Sequence, residues 1–355
     1  MGLNLDAQKV LIIGKNAQGK TNILESIYFM SALKSPRTSN NLELINFDAS
    51  KTEISLELVK SDTSVELDFT YDREKTRELK INKVKSRPKD FKSVLTTVLF
   101  STSDLMLLRG NPSARRAWLD RAISQVYPAY DDRLSKYDKI RIQKNNFLKD
   151  NGSDEALLEV LNEQLAITGS NIIYLRKKFL AEIEKIAAEK HRIISETEEL
   201  SIDYDSEFPL PMGEGQGEGA IENIAAAFKQ SLEQRKSEEL RRAQACVGPH
   251  RDDVIFYINN KEATKYASQG QQRTIVLALK LSELDIITEK TNDEPVLLLD
   301  DVLAELDDIR QNYLLKSIGH NTQTIITSVD TLLFEKEFLK NVLIYRVEDG
   351  NVNFC

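Results

Sequence analysis

One run near the start constrains the fold more than any other stretch: Gly14-Lys15-Asn16-Ala17-Gln18-Gly19-Lys20-Thr21. It follows the apolar stretch Val10-Leu11-Ile12-Ile13 and opens into Asn22-Ile23-Leu24-Glu25-Ser26-Ile27, where apolar residues recur at helical spacing. Strand, glycine-bounded loop closed by Lys-Thr, then helix is a phosphate-binding P-loop in the context that confirms it. Gly14 and Gly19 let the backbone curl until successive N–H groups, those of Lys15, Asn16, Ala17 and Gln18 among them, point inward as an anion nest. The helix N-terminus adds its partial positive charge. Lys20 can reach the β- and γ-phosphates, and the Thr21 hydroxyl can ligate Mg²⁺. A nucleotide is expected here, and the remaining chain must say what it is for.

The second half of such a site stands far down the chain. Val296-Leu297-Leu298-Leu299 reads as a buried parallel strand that ends in Asp300-Asp301, the Walker B pattern. Asp300 is placed to hold Mg²⁺ through its water shell, and Asp301 to polarise the attacking water. Transporter-type ATPases usually carry a glutamate there, so the shorter Asp301 predicts slow hydrolysis. Upstream lies Ser268-Gln269-Gly270-Gln271-Gln272-Arg273, followed by helical sequence from Thr274 to Ile287. It has the shape of the ABC signature, in which a serine hydroxyl, glycine N–H groups and a helix N-terminus meet the γ-phosphate of a second subunit's ATP. Alone it also reads as a helix start. Between a P-loop and a Walker B followed by Ala304-Glu305-Leu306-Asp307, it predicts half a site: two chains facing head to tail, with ATP and Mg²⁺ between them and Asp307 at the seam.

Between these motifs the periodicity changes twice. Gly2–Asp6 alternates as a short strand would, and Glu53–Val59 with Ser64–Tyr71 reads as a β-hairpin. From Arg73 to Lys92 there are nine basic residues against three acidic ones, either a solvated edge that blocks strand pairing or a patch for DNA phosphate or a partner. Val94–Phe100 is a second apolar strand. Helical spacing then holds, with breaks, from Ser101 to about Arg242: a helix over Pro112–Val126, another over Tyr130–Leu148, a third over Gln164–Ile194, and Ile221–Leu240. Phe208–Gly219 is a Pro/Gly connector whose Gly213, Gly215, Gly217 and Gly219 lack the leading strand of a dinucleotide loop. β-type sequence returns at Val254–Ile258. The expected fold is therefore α/β, a P-loop NTPase of the ABC/SMC-like ATPase-head type. Residues 1–100 and 243–355 form its ATPase lobe, with a β-hairpin subdomain at about 50–100, and residues 101–242 an inserted helical lobe.

Bulk composition excludes other classes. No apolar run approaches the ~20 residues that span a bilayer, and no basic segment leads into an apolar leader. Cys246 and Cys355, with three scattered histidines, offer no metal or disulfide spacing, as suits a reducing cytoplasm. A net charge of −8 confines any DNA contact to local patches. Arg109, Arg115, Arg116 and Arg121 cluster at the start of the helical lobe, and Arg141, Lys144 and Lys149 follow. Singly, each reads as a helix-surface charge or an ion pair with Asp104, Asp120 or Asp131. As a set they read as a DNA surface.

Taken together these motifs resemble the bacterial RecF family across essentially the whole chain. The resemblance rests on Gly14–Thr21 with Asn22 and Glu25, on Phe100-Ser101 with Asp104-Leu105, and on Gly110-Asn111-Pro112 with Arg115-Arg116 and Leu119-Asp120. It continues through Gln164-Leu165 with Gly169, Gly248-Pro249-His250-Arg251-Asp252-Asp253, Tyr266 with Ser268–Arg273, and Leu298–Asp301 with Glu305-Leu306-Asp307 and Arg310. It implies a bacterial cytoplasmic, nucleoid-associated protein of recombinational repair that binds single-stranded and gapped or junction DNA. Its partners would be RecO and RecR, its roles recombinase loading, replication restart and SOS induction. The resemblance further implies an ATP-driven homodimer with weak, DNA-dependent hydrolysis that acts as a switch. By linkage, if ATP joins the heads and the joined heads bind DNA, DNA favours the joined state. The family's Ser-His-Arg is Ser35-Pro36-Arg37 here, its Ser-Pro-Glu-Asp-Leu is Ser101-Thr102-Ser103-Asp104-Leu105, and its serine before the D-loop is Ala304. A further N-terminal strand of the family would precede Met1. The His250–Asp253 run, just before the signature, is expected to brace that loop.

Two other classes compete. An ABC transporter ATPase subunit carries its P-loop and signature much closer together than the roughly 250 residues here, and has a switch histidine where this chain has Thr327-Ser328-Val329-Asp330. A small-molecule kinase leaves the signature without purpose. An ATP-binding head with little or no turnover differs from the main reading only in rate.

Overall fold

The computed structural model describes residues 2–60, 63–150, 154–210, 219–319 and 321–355; Gly213, Gly215 and Gly217 of the connector lie outside them. The chain forms two compact units, Met1–Asp104 with Ile287–Cys355, and Leu105–Ile286. The second unit thus takes in residues 243–286, which the sequence assigns to the ATPase lobe. The reason is packing: the strand Asp253–Ile258 lies on the helix Pro112–Val126 and pairs with the strand Leu200–Asp205, which lies on the long helix Glu155–Ser195.

The first unit is built on a six-stranded sheet. Across it run Asn351–Phe354, Leu343–Glu348, Lys9–Ile13, Thr324–Ser328, Val296–Asp300 and Thr97–Ser101. All neighbouring pairs are parallel except that of the two C-terminal strands. Val10, Leu11 and Ile12 are fully buried, as a central parallel strand covered on both faces requires. The helix Lys20–Ala32 follows the P-loop and shares one core with the sheet and with a second, four-stranded antiparallel sheet, Lys51–Lys60, Thr63–Asp72, Arg77–Ile81 and Val84–Lys85. Phe29 of the helix meets Phe69 edge-on at 4.7 Å between ring centroids. Each such fully buried side chain is worth about 1.5–3 kcal/mol. The expected strand at Gly2–Asp6 does not form. Its carbonyls are taken by side chains instead: Tyr345 Oη donates to Asn4 O at 2.6 Å, and Gln323 Nε2 to Leu5 O and Ala7 O at 2.7 and 3.1 Å.

The second unit is mostly helical: Pro112–Val126, Tyr130–Lys149, Glu155–Ser195, Gly219–Gln234, Lys236–Arg242 and Gln269–Thr291, the last running on into the first unit. Asn111 caps the first of these, accepting from Ala114 N at 3.2 Å with Pro112 at the first helical position. The stretch expected as one helix over Ile221–Leu240 breaks at Arg235. The strand Leu200–Asp205 falls inside sequence expected to be helical, and joins Asp253–Ile258 and Lys261–Glu262 in a three-stranded sheet.

Candidate nucleotide site

The parallel strands bring their carboxyl ends to one edge of the first unit, where open α/β sheets place ligands. Four strand ends meet there in register: Asp300 lies opposite Ser101 on one side and Thr327 on the other, and Ile12 lies opposite Thr327. The P-loop leaves from Ile13 between them. A Cβ on Gly14 would stand 2.4 Å from the Val347 carbonyl, so only glycine passes that strand. Gly19 has φ +105, a left-handed conformation that glycine takes without strain, and the space beside its Cα is open. Ala17 is also left-handed, at φ +64. Gln18 Oε1 accepts from Asp349 N and ties the loop to the C-terminal hairpin.

Lys20 is buried, folded back over the loop, with Nζ 2.8 Å from Gly14 O and 3.2 Å from Lys15 O. Its remaining neighbour is Asp301, at 3.7 Å from Oδ2. Those carbonyls hold the ammonium where phosphate oxygens would claim it. Thr21 Oγ1 donates to Asp300 Oδ1 at 3.0 Å, and Thr327 Oγ1 donates to the same oxygen at 2.9 Å. Two hydroxyls on one carboxylate oxygen, next to an anion nest, are hard oxygen donors of the kind that suit Mg²⁺, which Thr21 and Asp300 could hold. Asp301 adopts φ +51, uncommon for a non-glycine residue, and its N–H donates to Thr327 Oγ1 at 2.9 Å. Its carboxyl is pushed up by burial, against the pull of Lys20 and with a further push from Asp300. A carboxylate of raised proton affinity, held off ordinary backbone geometry, is the arrangement a general base needs.

Three further residues stand beside the expected site residues. Thr327 links both aspartates, and its place at the end of a buried strand was a readable signal. Ser101 Oγ donates to Asp104 Oδ2 at 2.9 Å and its N–H to the same oxygen at 2.8 Å, fixing a polar corner beside Asp300. Arg37 Nη1 donates to Asn22 Oδ1 at 2.9 Å and Glu25 Oε2 at 3.2 Å, which pins it to the start of the P-loop helix.

In the second unit, Ser268–Gln271 forms a reciprocal cap. Gln271 N donates to Ser268 Oγ at 3.3 Å, and Ser268 N to Gln271 Oε1 at 2.7 Å, a capping box at the head of Gln269–Thr291. Gln269 and Gly270 are its first residues. Gln271 Nε2 also donates to Glu198 Oε1 at 2.7 Å. The structure thus shows the helix-start reading of this motif, a capped helix N-terminus with an exposed serine. Asp307, expected at the nucleotide, caps the helix Asp308–Ser317 by accepting from Arg310 N at 3.0 Å.

The DNA set divides. Lys144 is wholly buried and paired with Glu239 at 2.5 Å, and Arg115, also buried, binds Asp253 through Nε and Nη2 at 2.8 and 2.7 Å. Neither can meet a phosphate, since both are packed inside the unit as ion pairs; this corrects the expectation for those two. Arg109 is exposed, with Nε on Gln272 Oε1 at 2.8 Å. Arg116 and Arg121 are half-buried, and Arg141 pairs with Asp138 at 3.0 Å.

The Gly248–Asp253 run braces the helices of its unit, a broader task than the expected bracing of the signature. Arg176 Nη1 donates to Pro249 O at 2.6 Å, and its Nε and Nη2 hold Asp120 at 2.9 and 3.0 Å. Tyr204 Oη donates to Asp252 Oδ2 at 2.5 Å. Burial pushes the Asp252 carboxyl up to about 6. His250 stands between Tyr137 Oη, 2.7 Å from Nδ1, and the Ala245 carbonyl, 3.2 Å from Nε2. A carbonyl only accepts, so Nε2 carries a proton, and burial, which holds the pKa down at about 3, keeps the ring neutral.

Comparison with known proteins fits this geometry. Residues 1–353 match the family model described as RecF/RecN/SMC N terminal domain. The chain is 39% identical over 351 residues to the DNA replication and repair protein RecF of Thermosynechococcus vestitus, covering 98% of this chain and 91% of that one. The chain belongs to the RecF family. It is also 38% identical to RecF of Bacillus subtilis, over 96% of this chain and 92% of that one. Among solved structures, one described as the recombination mediator protein RecF-ATP in the RecFOR pathway superimposes with a TM-score of 0.90 at 33% identity, covering 99% of this chain and 93% of that one. An Smc head bound to the C-winged helix domain of ScpA shares the fold, with a TM-score of 0.53 at 13% identity, over 98% of this chain and 89% of that one. Among the described residues no helix is long and apolar enough to cross a membrane.

Proposed function

We propose that this RecF-family chain is an ATP-dependent DNA-binding protein of replication and recombinational repair. In this reading it binds single-stranded and gapped or junction DNA in the bacterial cytoplasm, works with RecO and RecR to load recombinase, and supports replication restart and SOS induction. The observation that carries the reading is the convergence of Lys20, Thr21, Asp300, Asp301 and Thr327 at one sheet edge. The names of its relatives and the ATP of its structural neighbour support it.

ATP would lie with its phosphates in the nest of residues 14–21. Mg²⁺, when bound, supplies charge neutralisation at the β- and γ-oxygens. Lys20 then leaves the Gly14 and Lys15 carbonyls for the phosphates, and Asp301 orients and deprotonates the attacking water. The nest covers one side of the γ-phosphate, and Ser268–Gln271 of a second copy closes the other. DNA gathers at the joined heads, and slow hydrolysis releases them. Lys20→Ala tests the first step: ATP affinity measured by calorimetry should fall below detection, and unchanged affinity would sink the P-loop assignment.

A further inference from the structure

Three arginines from three elements act on the turn that carries His250. Arg116, on Pro112–Val126, donates from Nη1 to the Asp252 carbonyl at 2.6 Å. Arg141 stands one turn beyond Tyr137 on Tyr130–Lys149, and the Tyr137 hydroxyl bonds His250 at 2.7 Å. Arg251 is the next residue, its N–H closing the turn onto Gly248 O at 2.8 Å and its side chain exposed. After burial, these three positive charges are what hold the His250 ring neutral.

The carboxylates near this turn are already engaged, and two of the three arginines have carboxylate neighbours: Arg141 has Asp138, and Arg116 has Asp253, Asp252 and Asp120. Asp253 is engaged by Arg115, Asp120 by Arg176, and Asp252 points inward to Tyr204. Asp138 pairs with Arg141. Among the described residues, Arg251 has no ion pair. Like charges brought together at a surface are costly unless an anion joins them. The platform beneath is rigid, because Arg176 holds the Pro249 carbonyl and His250 is held at both nitrogens.

We propose that Arg251, flanked by Arg116 and Arg141, is a phosphate-contact subsite for the DNA backbone, held rigid by the buried network under the Gly248–Asp253 turn. The guanidinium fork suits a phosphate bidentately, and a preorganised one loses little entropy on binding. This rests on the DNA-binding reading above. It also assigns a task to a motif residue that neither the nucleotide site nor the helix bracing uses.

The test is anisotropy of a fluorescein-labelled gapped duplex, with ATP present, over a salt series. Arg251→Ala should weaken binding about tenfold and make the slope of log K against log salt shallower by about 0.9. Arg251→Lys should keep the slope and recover only part of the affinity. Lys139→Ala, two residues from Arg141 on another face of the same helix, should change neither by as much. A melting curve that matches wild type shows that Arg251→Ala is folded. Wild-type affinity and slope in a folded Arg251→Ala overturn the subsite while leaving DNA binding intact. A wild-type chain that binds no DNA overturns the reading beneath it. Inorganic phosphate at matched ionic strength should displace DNA no better than chloride, and selective displacement lost in Arg251→Ala would make this a free-anion site instead.

Discussion

Thr327 carries the sharpest test of the nucleotide site. Its hydroxyl donates to Asp300 Oδ1 and accepts from Asp301 N, each at 2.9 Å, with the Leu299 carbonyl at 3.4 Å, and the residue is 1% exposed. Thr327→Val keeps the shape and removes these contacts. The Asp301 N–H then loses its partner, which costs about 1–3 kcal/mol. Asp300 keeps its bond from Thr21. Urea unfolding should therefore show a loss of about 1–3 kcal/mol at unchanged m-value. The functional effect should exceed the thermodynamic one, because the lost hydroxyl also fixes the left-handed backbone that aims Asp301. Steady-state ATP turnover should fall about tenfold or more, while ATP binding, which depends on the P-loop, weakens far less. A Thr327→Val protein as stable and as active as wild type would refute the link between strand end, carboxylates and catalysis.

Two further outcomes follow from the second unit. Lys144→Met leaves Glu239 buried without its cation, although Cys246 N still donates to it at 2.9 Å; the loss should be about 3–5 kcal/mol in urea melts, and Glu239→Gln in the same chain should recover much of it. A loss under about 1 kcal/mol would contradict the burial of that pair. His250 has its folded pKa held down at about 3, so its contribution is present above its unfolded pKa of about 6.5 and is lost as pH falls from there toward 3. Asp252, raised to about 6, works the other way, since its proton affinity in the folded state favours folding as pH falls through 6 toward 4. Between about pH 7.5 and about pH 5.5, wild type should lose about 1.4 kcal/mol relative to His250→Gln. Parallel stability curves for the two proteins would show that the ring is not held neutral.

Much of the nucleotide site was legible because its parts are local in sequence. The Gly14–Thr21 loop, the Asp300-Asp301 strand end and the Ser268 cap each announce themselves through short spacings with a physical reason. Thr327 was less legible, since a threonine that ends a buried strand matters only when the sheet order puts it beside Asp300. Among the charged residues of the second unit, Arg115 and Lys144 were misread as part of a DNA surface. Arg115 belongs to the stripe Trp118, Leu119, Ala122 and Ile123 at helical spacing, and Lys144 to the stripe Tyr137, Ile140 and Leu148, all of them buried. A cation on an apolar stripe points to a buried partner, yet Asp253 and Glu239 are distant in sequence and only the fold reveals them. The strand Leu200–Asp205 carried its own alternation, Leu200, Ile202 and Tyr204, inside a stretch read as helical. The domain boundary shifted for the same kind of reason, because Asp253–Ile258 is drawn to that strand by pairing that no local pattern encodes.

In the proposed dimer the P-loop of one copy and Ser268–Gln271 of another share one ATP. Light scattering of Asp301→Asn with Mg²⁺, with and without ATP, tests it most directly, since the variant keeps the phosphate nest and loses the base. ATP should double the mass, and adding Ser268→Arg to the same chain should hold the mass at that of a single copy while ATP still binds. A mass that stays single with ATP bound, or a Ser268→Arg chain that doubles as before, would contradict the shared pocket.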